Sequence, residues 1–167
     1  MTSIVKDKAV CFTGHRIIAG EELHALHARL YQAVLSLVGE GYDTFISGGA
    51  MGFDMEAAEC VLSIKERCPD IHLHLFLPCR DQTSRWESTA LLARYKTVLG
   101  MADSVRYVSD FYTDGCMFER NRQMVDASSV CVSYMRHSRT GGTGYTVRYA
   151  AKKGLRIINI AEGEIKS

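Results

Sequence analysis

Only two prolines and a single tryptophan, Trp86, occur in the 167 residues. With so little proline and no low-complexity stretch, nothing in the chain marks a linker. No repeat at solenoid periods is present either. Runs of about 20 apolar residues, the length needed to cross a bilayer, are missing. The opening residues MTSIVKDKAV hold no long apolar run, so the expected location is the cytoplasm, with no membrane partner. An excess of one charge is also lacking. Lys and Arg total 20 against 19 Asp and Glu, a formal net charge of +1. That balance argues against nucleic acid as a partner for a broad surface and leaves room for a local basic pocket.

Six cysteines are present, Cys11, Cys60, Cys68, Cys79, Cys116 and Cys131, and none forms a CxxC pair. Cys11 and Cys131 sit in apolar runs, where cysteine behaves as a small buried hydrophobe. A disulfide framework is therefore not expected. The pairs His24/His27 and His72/His74 lack Cys, Asp or Glu partners at ligand spacing, and no metal site is expected.

The composition, 47% apolar and 23% charged, suits one Rossmann-like domain over residues 1–167. Apolar runs predict strands at 8–13, 42–47, 71–77 (stopping at Pro78), 103–108, 129–135 and 155–160. Helices are predicted at 21–39, 54–67, 84–101, 116–127 and 145–153. The first carries Leu23, Leu26, Leu30, Val34, Leu37 and Val38 at helical period. Strict alternation of strand and helix implies an α/β fold: a Rossmann-like three-layer sandwich with a mostly parallel sheet of about six strands. Near-continuous apolar strands fit a sheet buried on both faces. Such sheets bind ligands beyond the C-terminal ends of their strands.

Three predicted strand ends carry unusual turns. They read Thr13-Gly14-His15-Arg16, then Ser47-Gly48-Gly49-Ala50-Met51-Gly52-Phe53-Asp54, then Thr140-Gly141-Gly142-Thr143-Gly144. Glycine lets backbone approach a ligand closely, and a helix N-terminus offers unpaired N–H groups and a positive dipole end. Together they favour a phosphate. Thr143 and Ser47 add hydroxyls, and Arg16 adds a charged fork. None of the turns matches the dinucleotide fingerprint or the Walker A pattern.

Asp54, in the first turn of its helix, reads either as a cap or as an acceptor for ribose hydroxyls. Arg120 and Asn121 lie on FERNRQMVDAS, whose Phe118, Met124 and Val125 read as core. Arg120 is a candidate anion ligand. Trp86 reads as a base-stacking ring or as a packed core or interface residue.

The combination of TGHR, SGGAMGFDMEAAE and RN…MVD…GGTGYTVRYA resembles the YpsA-type branch of the SLOG superfamily. That superfamily includes the DNA-processing protein DprA and the LOG proteins. The resemblance runs over nearly the whole chain and implies a Rossmann-like fold with a nucleotide-type ligand at these turns. SGGAMGFD is similar to the DprA glycine loop, with Asp54 at its aspartate. RN and GGTG are similar to the LOG motifs RK and PGGxGTxxE, whose enzymes cleave the N-glycosidic bond of nucleoside monophosphates. Here Asn121 replaces the lysine, no proline precedes Gly141, and Arg148 stands where the LOG glutamate falls. An oxocarbenium-like transition state needs a nearby carboxylate. The leading expectation is therefore binding of a nucleotide or an ADP-ribose-like derivative by a sensor or regulatory domain, with no obligatory cofactor. The alternatives are LOG-type hydrolysis, with Asp54 or Arg120 as catalytic candidates and Glu119 as a substitute carboxylate, and DprA-like binding of single-stranded DNA. The resemblance also allows a homodimer.

Overall fold

The computed structural model describes residues 3–136 and 141–161. Its elements follow in the order β1 (Ala9–Gly14), α1 (Leu23–Gly39), β2 (Thr44–Ser47), α2 (Phe53–Lys65), β3 (His72–Cys79), α3 (Thr89–Met101), β4 (Ser104–Ser109), α4 (Cys116–Asp126), β5 (Val130–Tyr134), α5 (Gly141–Lys152) and β6 (Arg156–Asn159). The six strands form one sheet in the order β4-β3-β2-β1-β5-β6, and every pairing is parallel. The expected α/β three-layer architecture is what the chain adopts.

The strand order explains where the helices lie. From β1 the chain steps outward through β2 and β3 to β4. It then returns across the sheet to place β5 on the other side of β1. Crossovers of one hand put helices on opposite faces before and after such a reversal. One core accordingly joins Leu26, Leu30 and Leu37 of α1, Phe53 and Val61 of α2, and Val98 of α3. The other joins Met124 and Val125 of α4 to Ala150 of α5. The reversal falls between β1 and β5, the place where an open parallel sheet leaves a crevice.

The larger core reaches up to the turns. Phe12 stacks on Phe45 at 6.2 Å and meets Phe53 edge-on at 6.2 Å, and Phe53 stacks on Tyr134 at 5.9 Å. Phe12, Phe45 and Phe53 are fully buried, each worth about 1.5–3 kcal/mol in transfer terms. This aromatic pillar sets the height of the β1 turn: a Cβ on Gly14 would lie 2.5 Å from the Phe53 ring.

Among the boundaries that differ from the sequence expectation, three have a local cause. Strand β3 runs through Pro78 to Cys79. Its neighbour β2 ends opposite Leu75, so by Pro78 the missing N–H faces no ladder on that side. Helix α3 begins at Thr89 rather than near 84, because the Ser88 hydroxyl accepts from the Leu91 N–H at 3.1 Å and caps it there. Helix α5 begins at Gly141, so the third glycine turn forms its opening turn instead of preceding it. Thr140 of that turn lies outside the described residues. At the outer strand β4, Arg106 lies over the Phe76 ring at 4.1 Å and Arg80 over Tyr107 at 4.2 Å. All six cysteines are free, and no helix among the described residues is long and apolar enough to cross a membrane.

Candidate functional site

Beyond the C-terminal ends of β1 and β5, a hollow of about 430 Å³ opens. Thr13, Gly14, His15 and Arg16 line it from the β1 turn, and Gly141, Gly142 and Thr143 from the first turn of α5. Asp54 contributes from α2, and Met117, Phe118, Arg120 and Asn121 from α4. The topology thus brings together ten of the residues singled out from sequence. Ser47, Gly48, Gly49, Gly52 and Gly144 are not in the lining.

The β1 turn is anchored on both sides. The His15 N–H donates to the Tyr134 carbonyl at 3.3 Å, and His15 Nε2 accepts from the Arg136 N–H at 3.0 Å. The Phe53 N–H donates to the His15 carbonyl at 3.0 Å. Asn159 fixes the end of β5 in turn, accepting from the Met135 N–H at 3.1 Å and donating to its carbonyl at 3.0 Å.

The turn after β2 satisfies its own polar groups. The Ser47 hydroxyl donates to the Asp54 carbonyl at 2.9 Å and accepts from the Gly49 N–H at 3.2 Å. Ser47 is fully buried, so its hydroxyl serves the loop and does not face the hollow. Gly52, at φ 81°, caps α2 so closely against the Arg16 carbonyl that a Cβ would sit 2.3 Å from its oxygen. Of the three glycine turns, this one is closed by protein contacts.

Arg120 closes it. The residue is 3% exposed. Its Nη1 donates to the Gly48 carbonyl at 2.5 Å and to the Phe76 carbonyl at 3.4 Å, and its Nε donates to Asn121 Oδ1 at 2.8 Å. One of its nitrogens therefore braces two backbone carbonyls and a second holds the Asn121 side chain, which qualifies the expected role as an anion ligand. Asp54, 8% exposed, accepts from the Ala50 N–H at 3.4 Å. Burial pushes its carboxyl above the ordinary range, against the pull of the Arg120 charge. Burial likewise lowers the Arg120 guanidinium, which the Asp54 charge partly offsets. Glu119 points elsewhere: it is ion-paired with Arg122 at 2.6 Å. Arg148 is exposed.

What faces the hollow with donors to spare is a different set. The opening N–H groups of α5 have no intrahelical acceptors and sit at the positive end of the helix dipole. A Cβ at Gly141 or Gly142 would meet nothing within 4 Å, so the space over that backbone is open. Arg16 is exposed, and its Nη2 lies 4.0 Å from the Met117 sulfur, a weak acceptor.

Sequence reasoning missed one wall. Phe118 was expected in the core, yet it is 42% exposed, meets Tyr145 edge-on at 4.8 Å and lines the hollow with Met117. Helical period shows that a face is apolar but not what covers it. Trp86 sits away from this hollow, half-buried against Tyr95 at 5.3 Å. Among the described residues no cluster of three or more His, Cys, Asp or Glu is placed to hold a metal ion.

Fold and site together define a Rossmann-like α/β protein with a polar hollow at its switch point. More narrowly, the chain belongs to the YspA SLOG family (YpsA), whose profile matches residues 18–159. It is 28% identical over 124 residues to a UPF0398 protein of Halalkalibacterium halodurans, covering 73% of this chain and 65% of that one. The chain thus spans a little under two thirds of that relative. It is 29% identical over 123 residues to the SPbeta prophage-derived protein YoqJ of Bacillus subtilis, covering 66% and 71%. Among solved structures it is similar to DNA processing protein A from Helicobacter pylori, whose single-stranded DNA binding mode that structure describes. The TM-score is 0.59 at 19% identity, covering 91% of this chain and 64% of that one. At that identity the likeness concerns the fold.

Proposed function

We propose that the protein binds a nucleotide or nucleotide-derived ligand as a sensor or regulatory domain. The ligand's phosphate lies over the opening turn of α5, within reach of Arg16. The observation that carries this reading is the open space above Gly141 and Gly142 inside a hollow that Arg16 also lines. Amide donors, a dipole end and the exposed Arg16 guanidinium converge there, and among the described lining residues the buried Asp54 is the one acid. Phe118 offers an exposed ring beside them for a base.

Calorimetric titration with a panel of mononucleotides tests the reading. The native protein should bind at least one of them. Gly142→Glu should abolish that binding by placing a carboxylate in the hollow. A panel without binding, or a Gly142→Glu variant that binds like the native protein, overturns it.

Two other readings have observations of their own. Asp54, held toward its neutral form by burial, has the character of a general acid for N-glycoside cleavage. That reading requires free base to appear from a nucleoside monophosphate and to disappear in Asp54→Asn. Intact substrate on chromatography removes it. The solved neighbour's single-stranded DNA binding speaks for nucleic acid, against the balanced net charge. Exposed Phe111 and Tyr112, which follow β4, are rings on which bases stack. An oligonucleotide that shows no gel shift at low salt removes that reading.

A further inference from the structure

A second hollow, of about 440 Å³, lies beyond the end of β3. It meets the first at Arg16, Ala50 and Met117, which line both. The two share a border, and the residue on that border with a charge is Arg16.

The second hollow has a different chemistry from the first. Its rings are Trp86, wedged edge-on against Tyr95 at 5.3 Å, and Tyr112, which is 63% exposed. Its polar edge includes the Gln82 carboxamide. Gln82 Nε2 donates to the Gly49 carbonyl at 3.4 Å, while its Oε1 is buried without a partner. An acceptor left unpaired away from water is costly, and a carboxamide is a group that reads the edge of a base. Aromatic faces with an amide beside them suit a planar heterocycle. Asp81 and Arg85, of opposite charge, also line it.

Each hollow has the volume of a small-ligand site. A mononucleotide occupies one and leaves the other to water. A ligand with a ring at each end of a phosphate bridge occupies both, with the bridge at Arg16, where a planar guanidinium can hold two of its oxygens. We infer that the ligand is two-armed: a nucleotide whose phosphates carry a second ring-bearing group, which lies in the hollow formed by Trp86, Tyr112 and Gln82. This rests on the reading above that the first hollow takes the phosphate.

The sole tryptophan reports on the second hollow without labelling. The native protein is titrated with AMP and GMP, and with diadenosine and diguanosine diphosphate. Heat and tryptophan emission are followed together. At least one two-ringed compound should bind about tenfold tighter than its mononucleotide, the factor one stacked base carries. It should change Trp86 emission, while the mononucleotide binds without doing so. Tyr112→Ala alters an exposed side chain and should keep the fold. It should weaken the two-ringed compound by about tenfold and leave the mononucleotide as it was.

Equal affinity of the two ligand types, an equal change in Trp86 emission with the mononucleotide, or an unaltered Tyr112→Ala variant overturns the two-armed ligand. In each of those cases the reading of the first hollow stands if Gly142→Glu still abolishes binding. A native protein that binds none of the four compounds overturns both.

Discussion

At the scale of single residues, glycine does two different things in this protein. Glycine-rich turns after strands were legible as a signal, but the sequence alone does not separate glycines that admit a ligand from glycines that admit neighbouring side chains. Gly48 is of the second kind: a Cβ there would lie 2.5 Å from Arg120 Nη1 and 2.7 Å from Asp54 Oδ2. Gly142 is of the first, with nothing within 4 Å. Gly48→Ala should therefore cost about 1–3 kcal/mol of stability, the usual penalty of overpacking. Gly142→Ala should lie within about 0.5 kcal/mol of the native protein. Urea denaturation of both variants distinguishes them, and equal midpoints would contradict the assignment.

Arg120 and Asp54 were each legible as residues of interest, but their contacts were not, since nothing local to α4 says that its arginine reaches carbonyls of β3 and of the β2 turn. Arg120→Met removes the donors to the Gly48 and Phe76 carbonyls and takes away the larger of the two positive charges that act on buried Asp54. Leaving buried carbonyls unpaired costs about 1–3 kcal/mol each. Arg16→Met, at an exposed position, should change stability little and weaken anion binding instead. Denaturation and titration of the two variants should give opposite rankings.

At the scale of elements, the sequence shows most of the structure. Strand and helix identities follow from period and length, and among the described residues the six strands and five α-helices fall where the apolar pattern puts them, while two short 3-10 turns, at Lys6–Lys8 and Gly20–Glu22, went unread. Misplaced ends have local causes that period cannot show: a serine cap before α3, a proline on the side of β3 that has lost its neighbour, and a glycine turn already wound into α5. Contacts between helices were less legible still. Glu56 of α2 accepts from His27 of α1 at 2.5 Å and from Arg94 of α3 at 2.5 Å, and Arg94 also holds Glu59. Burial alone would raise the Glu56 carboxyl, but hydrogen bonds from His27 and Arg94 outweigh it and hold it below its ordinary value near 4.5. A carboxyl held low in the fold stabilises above its unfolded value, and that contribution is lost as pH falls through the folded value. Arg94→Met should therefore be less stable than the native protein at pH 7, by under about 1 kcal/mol because Arg94 is part-exposed. The difference should shrink below pH 4.5. Thermal melts across pH 3–7 measure it, and a gap that widens on acidification would contradict this account.

At the scale of the whole molecule, one topological reversal decides where chemistry can happen. It separates α2 from α5 across the sheet and leaves the ends of β1 and β5 uncovered between them. A ligand seated there contacts both halves of the chain, so it binds the folded state and not the unfolded one. At a hundredfold excess over Kd, a nucleotide that binds should add about 2.7 kcal/mol, raising Tm by about 5–10 °C for a chain of this size. Scanning calorimetry with and without ligand checks this.

The arginines that lie flat on rings at β4 bear on how two copies can meet. Arg106 reaches back from β4 over the Phe76 ring of its neighbour β3, and Arg80 lies over Tyr107 of β4 beside the exposed carboxylate of Asp110, so that charge of both signs borders this margin. Charged margins of this kind turn away intruding backbone. Pairing of two copies through β4 therefore meets charge at that margin, while β6 forms the other edge of the sheet.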